Sequence, residues 1–116
     1  MTLEKNIIDN VMAKSSFVGL LALYFIKLRF ERKEAFKKSD LEQIRSGEYV
    51  YGYFVACASF DLFEFTNNND VFNITSFNIY LSENIKRNLI EKANQHDAKY
   101  PNDPKWVADI LRIENI

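Results

Sequence analysis

The stretch EYVYGYFVACASFDLFEF, Glu48 to Phe65, carries two opposite signals. Its tyrosines, phenylalanines and valines favour a pleated, half-buried surface. Its length without punctuation favours a helix, because strands usually end within about ten residues. Tyr49, Tyr53, Ala56, Phe60 and Phe63 fall on one helical stripe, and Gly52, Ala56 and Ser59 offer small surfaces for close packing. The spacing predicts a helix, with a strand hairpin as the alternative.

Downstream, Thr66 to Asp70 reads TNNND, a loop composition, since asparagine and aspartate bond their own backbone in competition with helix. Ile74, Phe77, Leu81, Ile85 and Leu89 then recur at helical spacing and predict a helix from Thr75 to Gln95. Ser82-Glu83 equally suits the cap of a helix that follows a strand from Val71 to Leu81. Both versions make Glu83 to Ala93 helical. His96 to Asn102 reads as a polar connector. Asp103-Pro104 is a suitable start for a last helix, Pro104 to Ile113, with Trp106, Val107, Ile110, Leu111 and Ile113 on its apolar side.

Upstream, Leu3, Ile7 and Val11, then Val18, Leu21, Phe25 and Leu28, lie at three- and four-residue steps. One helix from Leu3 to Phe36 would be about 51 Å long, so a break is expected near Lys14 to Ser16, with Ser15 or Ser16 capping a new helix. Glu34 and Lys38 stand in the favourable order for an i,i+4 pair. Ser39 and Asp40 offer a cap for a short helix, Leu41 to Arg45, ended by Gly47 at a left-handed position.

These segments predict a mostly α fold, a compact bundle of four to six helices forming one domain over residues 1–116. The alternative is an α+β fold with strands within residues 49–81. Three glycines and two prolines in 116 residues leave little turn chemistry for a many-stranded sandwich. At this length roughly two thirds of the unfolded surface can be buried without metal or crosslink.

Cys57 is the only cysteine, so no internal disulfide forms, and its apolar surroundings predict a buried structural thiol. The most membrane-like segment, Ser15 to Ile26, has twelve uncharged residues, whereas a span takes about 20. Glu4 and Asp9 occupy the place of a basic signal n-region. A cytoplasmic protein without a membrane span is expected.

Catalytic and metal chemistry is hard to assemble. His96 is the only histidine, a poor basis for zinc or a nucleophile–base pair, and it reads as a surface or capping residue. Asp61 and Glu64, three apart, would share a helical face, and an enzyme would need them to meet His96 in a pocket. The three glycines, Gly19, Gly47 and Gly52, form no phosphate loop. The sequence therefore predicts no enzyme, cofactor or metal. The basic run Lys27, Arg29, Arg32, Lys33, Lys37, Lys38 is interrupted by Glu31 and Glu34. It supports a weaker expectation of a helical regulatory or nucleic-acid-associated protein using residues 27–38.

The strongest asymmetry is a window of forty residues, Ser46 to Ile85, that lacks lysine and arginine yet holds ten of the seventeen aromatic residues and five carboxylates. Tyrosines rimmed by carboxylates suit a protein-binding surface in which rings anchor and charge steers a basic partner. The candidate contact residues are Glu48, Tyr49, Tyr53, Asp61, Glu64 and Asp70.

In size, single-domain build, lack of catalytic residues and acidic surface, the chain resembles the small immunity proteins that neutralise bacterial toxins delivered between cells. Those proteins share no common fold, so the resemblance implies a role and transfers no residue. That role is tight stoichiometric binding of a basic toxin domain, with the acidic face filling the cationic groove of a nuclease-like toxin. Neither the partner's identity nor the oligomeric state follows from it.

Overall fold

Ser16 starts the central helix. It is extended, and its hydroxyl accepts the Gly19 N–H at 3.1 Å, which satisfies one of the donors that the first turn leaves unpaired. The structure, a computed structural model, describes residues 16–58 and 62–116. The expected cap at Ser16 is present, while Lys14, Ser15 and the stripe of Leu3, Ile7 and Val11 lie outside the described residues. Helix α1 spans Phe17–Arg32, and β1 (Phe36–Lys37) and a 3-10 helix (Lys38–Gln43) follow it. Then come α2 (Gly47–Ala58), β2 (Phe63–Asn68), β3 (Val71–Phe77), α3 (Ile79–Lys99) and α4 (Trp106–Glu114).

Helix α1 packs against α2, α3, α4 and β3, and every residue from Leu20 to Ile26 is buried. A helix apolar on all sides must be enclosed, which accounts for the uniformly apolar run. No helix among the described residues is long and apolar enough to cross a membrane. At the far end Lys33 adopts φ 55°, and the Glu34 N–H bonds back to the Arg29 carbonyl at 3.1 Å. The helix therefore stops before Phe36, and Glu34 pairs with Arg29 at 2.8 Å. That replaces the expected Glu34–Lys38 pair.

Strands occupy part of the stretch whose spacing predicted helix. Residues 47–58 are helical as expected, but Phe63 to Asn68 is strand, and so is Val71 to Phe77, where the helix Thr75 to Gln95 was expected. The alternative of strands within residues 49–81 describes this part of the chain. The TNNND segment is not a loop throughout. Thr66, Asn67 and Asn68 pair with Asn73, Phe72 and Val71, and only Asn69 and Asp70 turn, with φ 55° and 63°. Two consecutive positive φ values are what a tight two-residue hairpin turn demands, and asparagine and aspartate adopt them at least cost after glycine. Phe72 and Ile74 are buried while Asn73 and Thr75 are exposed, a period-two pattern that the three-residue step from Ile74 to Phe77 obscured.

The sheet is antiparallel with order β1-β3-β2, and a register shift falls between Glu64 and Phe65. Its inner face meets α2 through Phe54. The Phe54 ring lies 5.2 Å from Phe36, 5.6 Å from Phe63, 5.1 Å from Phe65 and 5.2 Å from Phe72. Much of the window's aromatic content is therefore core. Helix dominates the remainder: α3 presents the seam Ile85, Leu89, Ala93 and α4 presents Ile110 and Ile113, all buried.

Two capping expectations need correction. Gly47 has no positive φ and opens α2 instead of closing the helix before it. It is glycine because a Cβ there would lie 1.7 Å from the Leu41 carbonyl oxygen. The last helix starts at Trp106, and its cap is Asp97, whose carboxylate accepts the Trp106 N–H at 2.9 Å and the Val107 N–H at 3.2 Å. Residues 96–99 consequently belong to α3 and not to a connector.

Candidate functional site

Helix α2 faces the core through Val50 and Phe54, four residues apart. That spacing leaves Tyr49, Gly52, Tyr53 and Ala56 on the solvent side. Tyr49 is 70% exposed, Tyr53 38% and Val55 55%, and a Cβ built at Gly52 meets no described residue within 4 Å. The expected stripe of Tyr49, Tyr53 and Ala56 forms on α2, with Tyr49 and Tyr53 exposed as a contact surface requires, and no described residue packs at Gly52. Tyr51 belongs to neither side. It is half-buried, 6.1 Å from the Phe72 ring, with the Lys38 ammonium 5.1 Å above its own. The Tyr53 hydroxyl accepts a hydrogen bond from Ser16 at 3.0 Å, which ties the exposed end of the ring to the start of α1.

The candidate carboxylates are dispersed. Glu48 adjoins Tyr49 but shares a cleft of about 360 Å³ with Lys38, Glu42 and Arg45. Glu64 is exposed on β2, on the face of the strand away from Phe63 and Phe65. Asp70 sits at the hairpin tip, next to Val71, which pairs with Lys37 of β1. The chain thus brings Lys38 and Arg45 of its basic flank into one cleft with Glu48 of the acidic window. Asp61 lies outside the described residues, and so does the Cys57 side chain. Glu48, Tyr49 and Tyr53 are brought together by α2; Glu64 and Asp70 are carried by the hairpin. Sequence reasoning missed Val55, whose exposure on α2 follows only once Val50 and Phe54 are known to face inward.

The basic run is largely engaged within the chain. Lys27 pairs with Glu31 at 2.9 Å. Arg29 is buried, pairs with Glu34 and donates to the Ile116 carbonyl. Arg32 donates to the Glu114 carbonyl at 2.9 Å. Lys33 and Lys37 remain exposed.

His96 is not a free surface residue. Its ring stacks on Trp106 with centroids 3.7 Å apart and planes at 3°, and Trp106 stacks in turn on Phe17 at 4.5 Å. His96 Nδ1 lies 3.0 Å from Asp97 Oδ1. Desolvation works against ionisation of Asp97, but the His96 bond and the two α4 N–H groups outweigh it and hold the carboxyl below its usual range. The cleft beside His96 is not lined by Glu64. Among the described residues no three His, Cys, Asp or Glu side chains gather as metal ligands. No family model, no curated protein and no solved structure matches the chain, so the functional reading rests on its own residues.

Proposed function

We propose that this protein is a stoichiometric binder, an inhibitor of the immunity type that neutralises a bacterial toxin domain in the cytoplasm, and that it turns over no substrate. The observation that carries the reading is the solvent face of α2. Tyr49 and Tyr53 stand exposed there one turn apart, and Val55 is exposed further round the same helix. Exposed tyrosines combine large contact area with few rotatable bonds, which makes them efficient anchors. Glu48, Asp61, Glu64 and Asp70 are the carboxylates that would steer a basic partner, an effect expressed mainly in the association rate. The alternative of a regulatory or nucleic-acid-associated protein using residues 27–38 has less support, because Lys27, Arg29 and Arg32 are committed to intrachain partners.

The test is affinity capture from the native host by the parent protein and by Tyr49→Ala/Tyr53→Ala in parallel, with mass spectrometry of what is retained. A basic protein held by the parent and lost by the variant supports the reading. Its toxicity, and the relief of that toxicity at one-to-one stoichiometry, are then measured directly. Retention of the same protein by both chains sinks the α2 assignment. His96→Ala should leave protection intact; loss of protection with folding preserved would revive an enzymatic role.

A further inference from the structure

A second feature lies on another part of the molecule, where the end of α3 meets the start of α4. A cleft of about 380 Å³ opens there, within the range of small-molecule sites. Its floor is the stack of Phe17, Trp106 and His96 with Tyr100 beside it. Lys92, Gln95 and Lys99 line it from α3, and their spacing of three and four residues puts them on one helical face with His96. Neither lysine has an ion-pair partner among the described residues; Lys99 only approaches the Tyr100 ring, at 5.4 Å.

Its described lining is rich in donors and holds no carboxylate. Asp97, the nearest acid in sequence, is occupied by the His96 Nδ1 side and by the α4 N–H groups. Trp106 Nε1–H and His96 Nε2 make no hydrogen bond with described residues. Among those residues the only buried, unpartnered side-chain nitrogen or oxygen is Arg29 Nε. With Phe17 and His96 stacked on the indole, what Trp106 offers a ligand is its electropositive edge and its N–H.

We propose that this cleft binds a small organic anion, a carboxylate or phosphate monoester on a planar apolar body, with Lys92 and Lys99 on the anionic head and the edges of Trp106, His96 and Tyr100 against the body. Two ammonium groups without an ion pair and an indole N–H without an acceptor, among the described residues, favour an anionic, acceptor-rich head. The aromatic floor favours a ring or flat chain over a bare ion.

The chain supplies its own reporters, because Trp106 and His96 are its single tryptophan and single histidine. Phenyl phosphate is titrated against the full chain at neutral pH, following tryptophan emission and the His96 Cε1–H proton resonance. Both should change along one saturable curve. Inorganic phosphate should need at least about tenfold more for the same change, and phenol should produce little. Lys92→Gln/Lys99→Gln should weaken phenyl phosphate by about tenfold or more, the loss expected for two charge-assisted contacts, with an unchanged circular dichroism spectrum. Added salt should weaken binding to the parent as well, a check that needs no variant. Absence of a saturable change up to about 10 mM, the weakest binding that counts as a site, overturns the proposal. So does an equal response to phenyl and inorganic phosphate, or a curve indifferent to the two lysines.

Discussion

At the scale of single residues, the two described glycines of α2 make opposite claims on space, and this yields a paired prediction. Gly47→Ala drives a Cβ into the Leu41 carbonyl and should cost about 2 kcal/mol or more, as overpacking against backbone does. Gly52→Ala meets no described residue in mid-helix and should stabilise by about 0.5–1 kcal/mol through better helix propensity. Urea denaturation of both variants checks this, and an equal effect of the same sign would refute it. Two carboxylates predict the acid limb of stability. Asp97 lies below its usual range for the reasons given above. Glu114 does too: desolvation opposes its ionisation, but the Tyr24 hydroxyl at 2.8 Å and Lys86 at 3.2 Å outweigh it. A depressed folded-state pKa means that the unfolded chain takes up the proton at higher pH. The stabilisation is therefore complete above the ordinary carboxylate range, about pH 4, and drains away as the pH falls through the folded-state values. Urea midpoints at pH 7, 4 and 3 should decline, and Asp97→Asn/Glu114→Gln should flatten the decline. Tyr24 has the opposite sign. Burial first, and Glu114 second, push its phenol up, so its contribution is present at neutral pH and fades only in strong alkali. The Ser16 cap was legible from sequence because capping is local. The Asp97 cap was not, since it acts from nine residues away.

At the scale of elements, the hairpin and α2 each carry a prediction. Asn69-Asp70 already holds two positive φ angles, and Asp70→Gly would relieve the cost of the second one. The variant should be more stable by about 0.5–1 kcal/mol, read as a higher urea midpoint. Destabilisation would mean that the Asp70 side chain matters more than its backbone. On α2, Tyr53→Ala should speed dissociation of the proposed partner and cost about 2 kcal/mol or more of binding if the ring is an anchor. Tyr53→Phe, which removes only the hydroxyl that meets Ser16, should cost far less. Glu64→Lys should instead slow association and weaken its salt dependence, while reversal of Lys33 and Lys37 leaves binding nearly intact. Collapse on reversing the lysines, with survival of the tyrosine and glutamate changes, would move the interface to the basic segment. Stopped-flow association and dissociation rates separate these outcomes. The tyrosine stripe was visible in the sequence as a candidate contact surface, but not which residues of the helix faced inward. A helix with aromatic residues on several sides presents more than one plausible inner face, and the sheet chose Phe54.

At the scale of the whole molecule, the far-ultraviolet circular dichroism spectrum should be helix-dominated, with minima near about 208 and 222 nm and a minor strand contribution from the three-stranded sheet. A strand-dominated spectrum would refute the architecture. Phe54→Ala, which empties the centre of the aromatic cluster shared by α2 and the sheet, should cost about 3–5 kcal/mol, the largest stability effect predicted here. By itself the sequence determined the helix-rich composition, the helix start at Ser16, the helicity of Glu83 to Ala93, and the enclosure that an apolar run too short to span a bilayer requires. These follow from composition, periodicity and capping, all of which act over a few residues. Only the tertiary structure decided that residues 63–77 pair as a hairpin, that Gly47 opens a helix, and that His96 stacks on Trp106. It also decided that Lys38 and Arg45 share a cleft with Glu48 of the acidic window, and that Lys37 pairs with Val71 at the end of the hairpin. In each case the deciding energy comes from a partner distant in sequence: Phe54 and Phe36 against the strands, the Leu41 carbonyl against Gly47, the α4 N–H groups on Asp97, and β1 against β3. Contacts of that kind leave no period in the chain, because the partner's position is set by the fold that the contact helps to build.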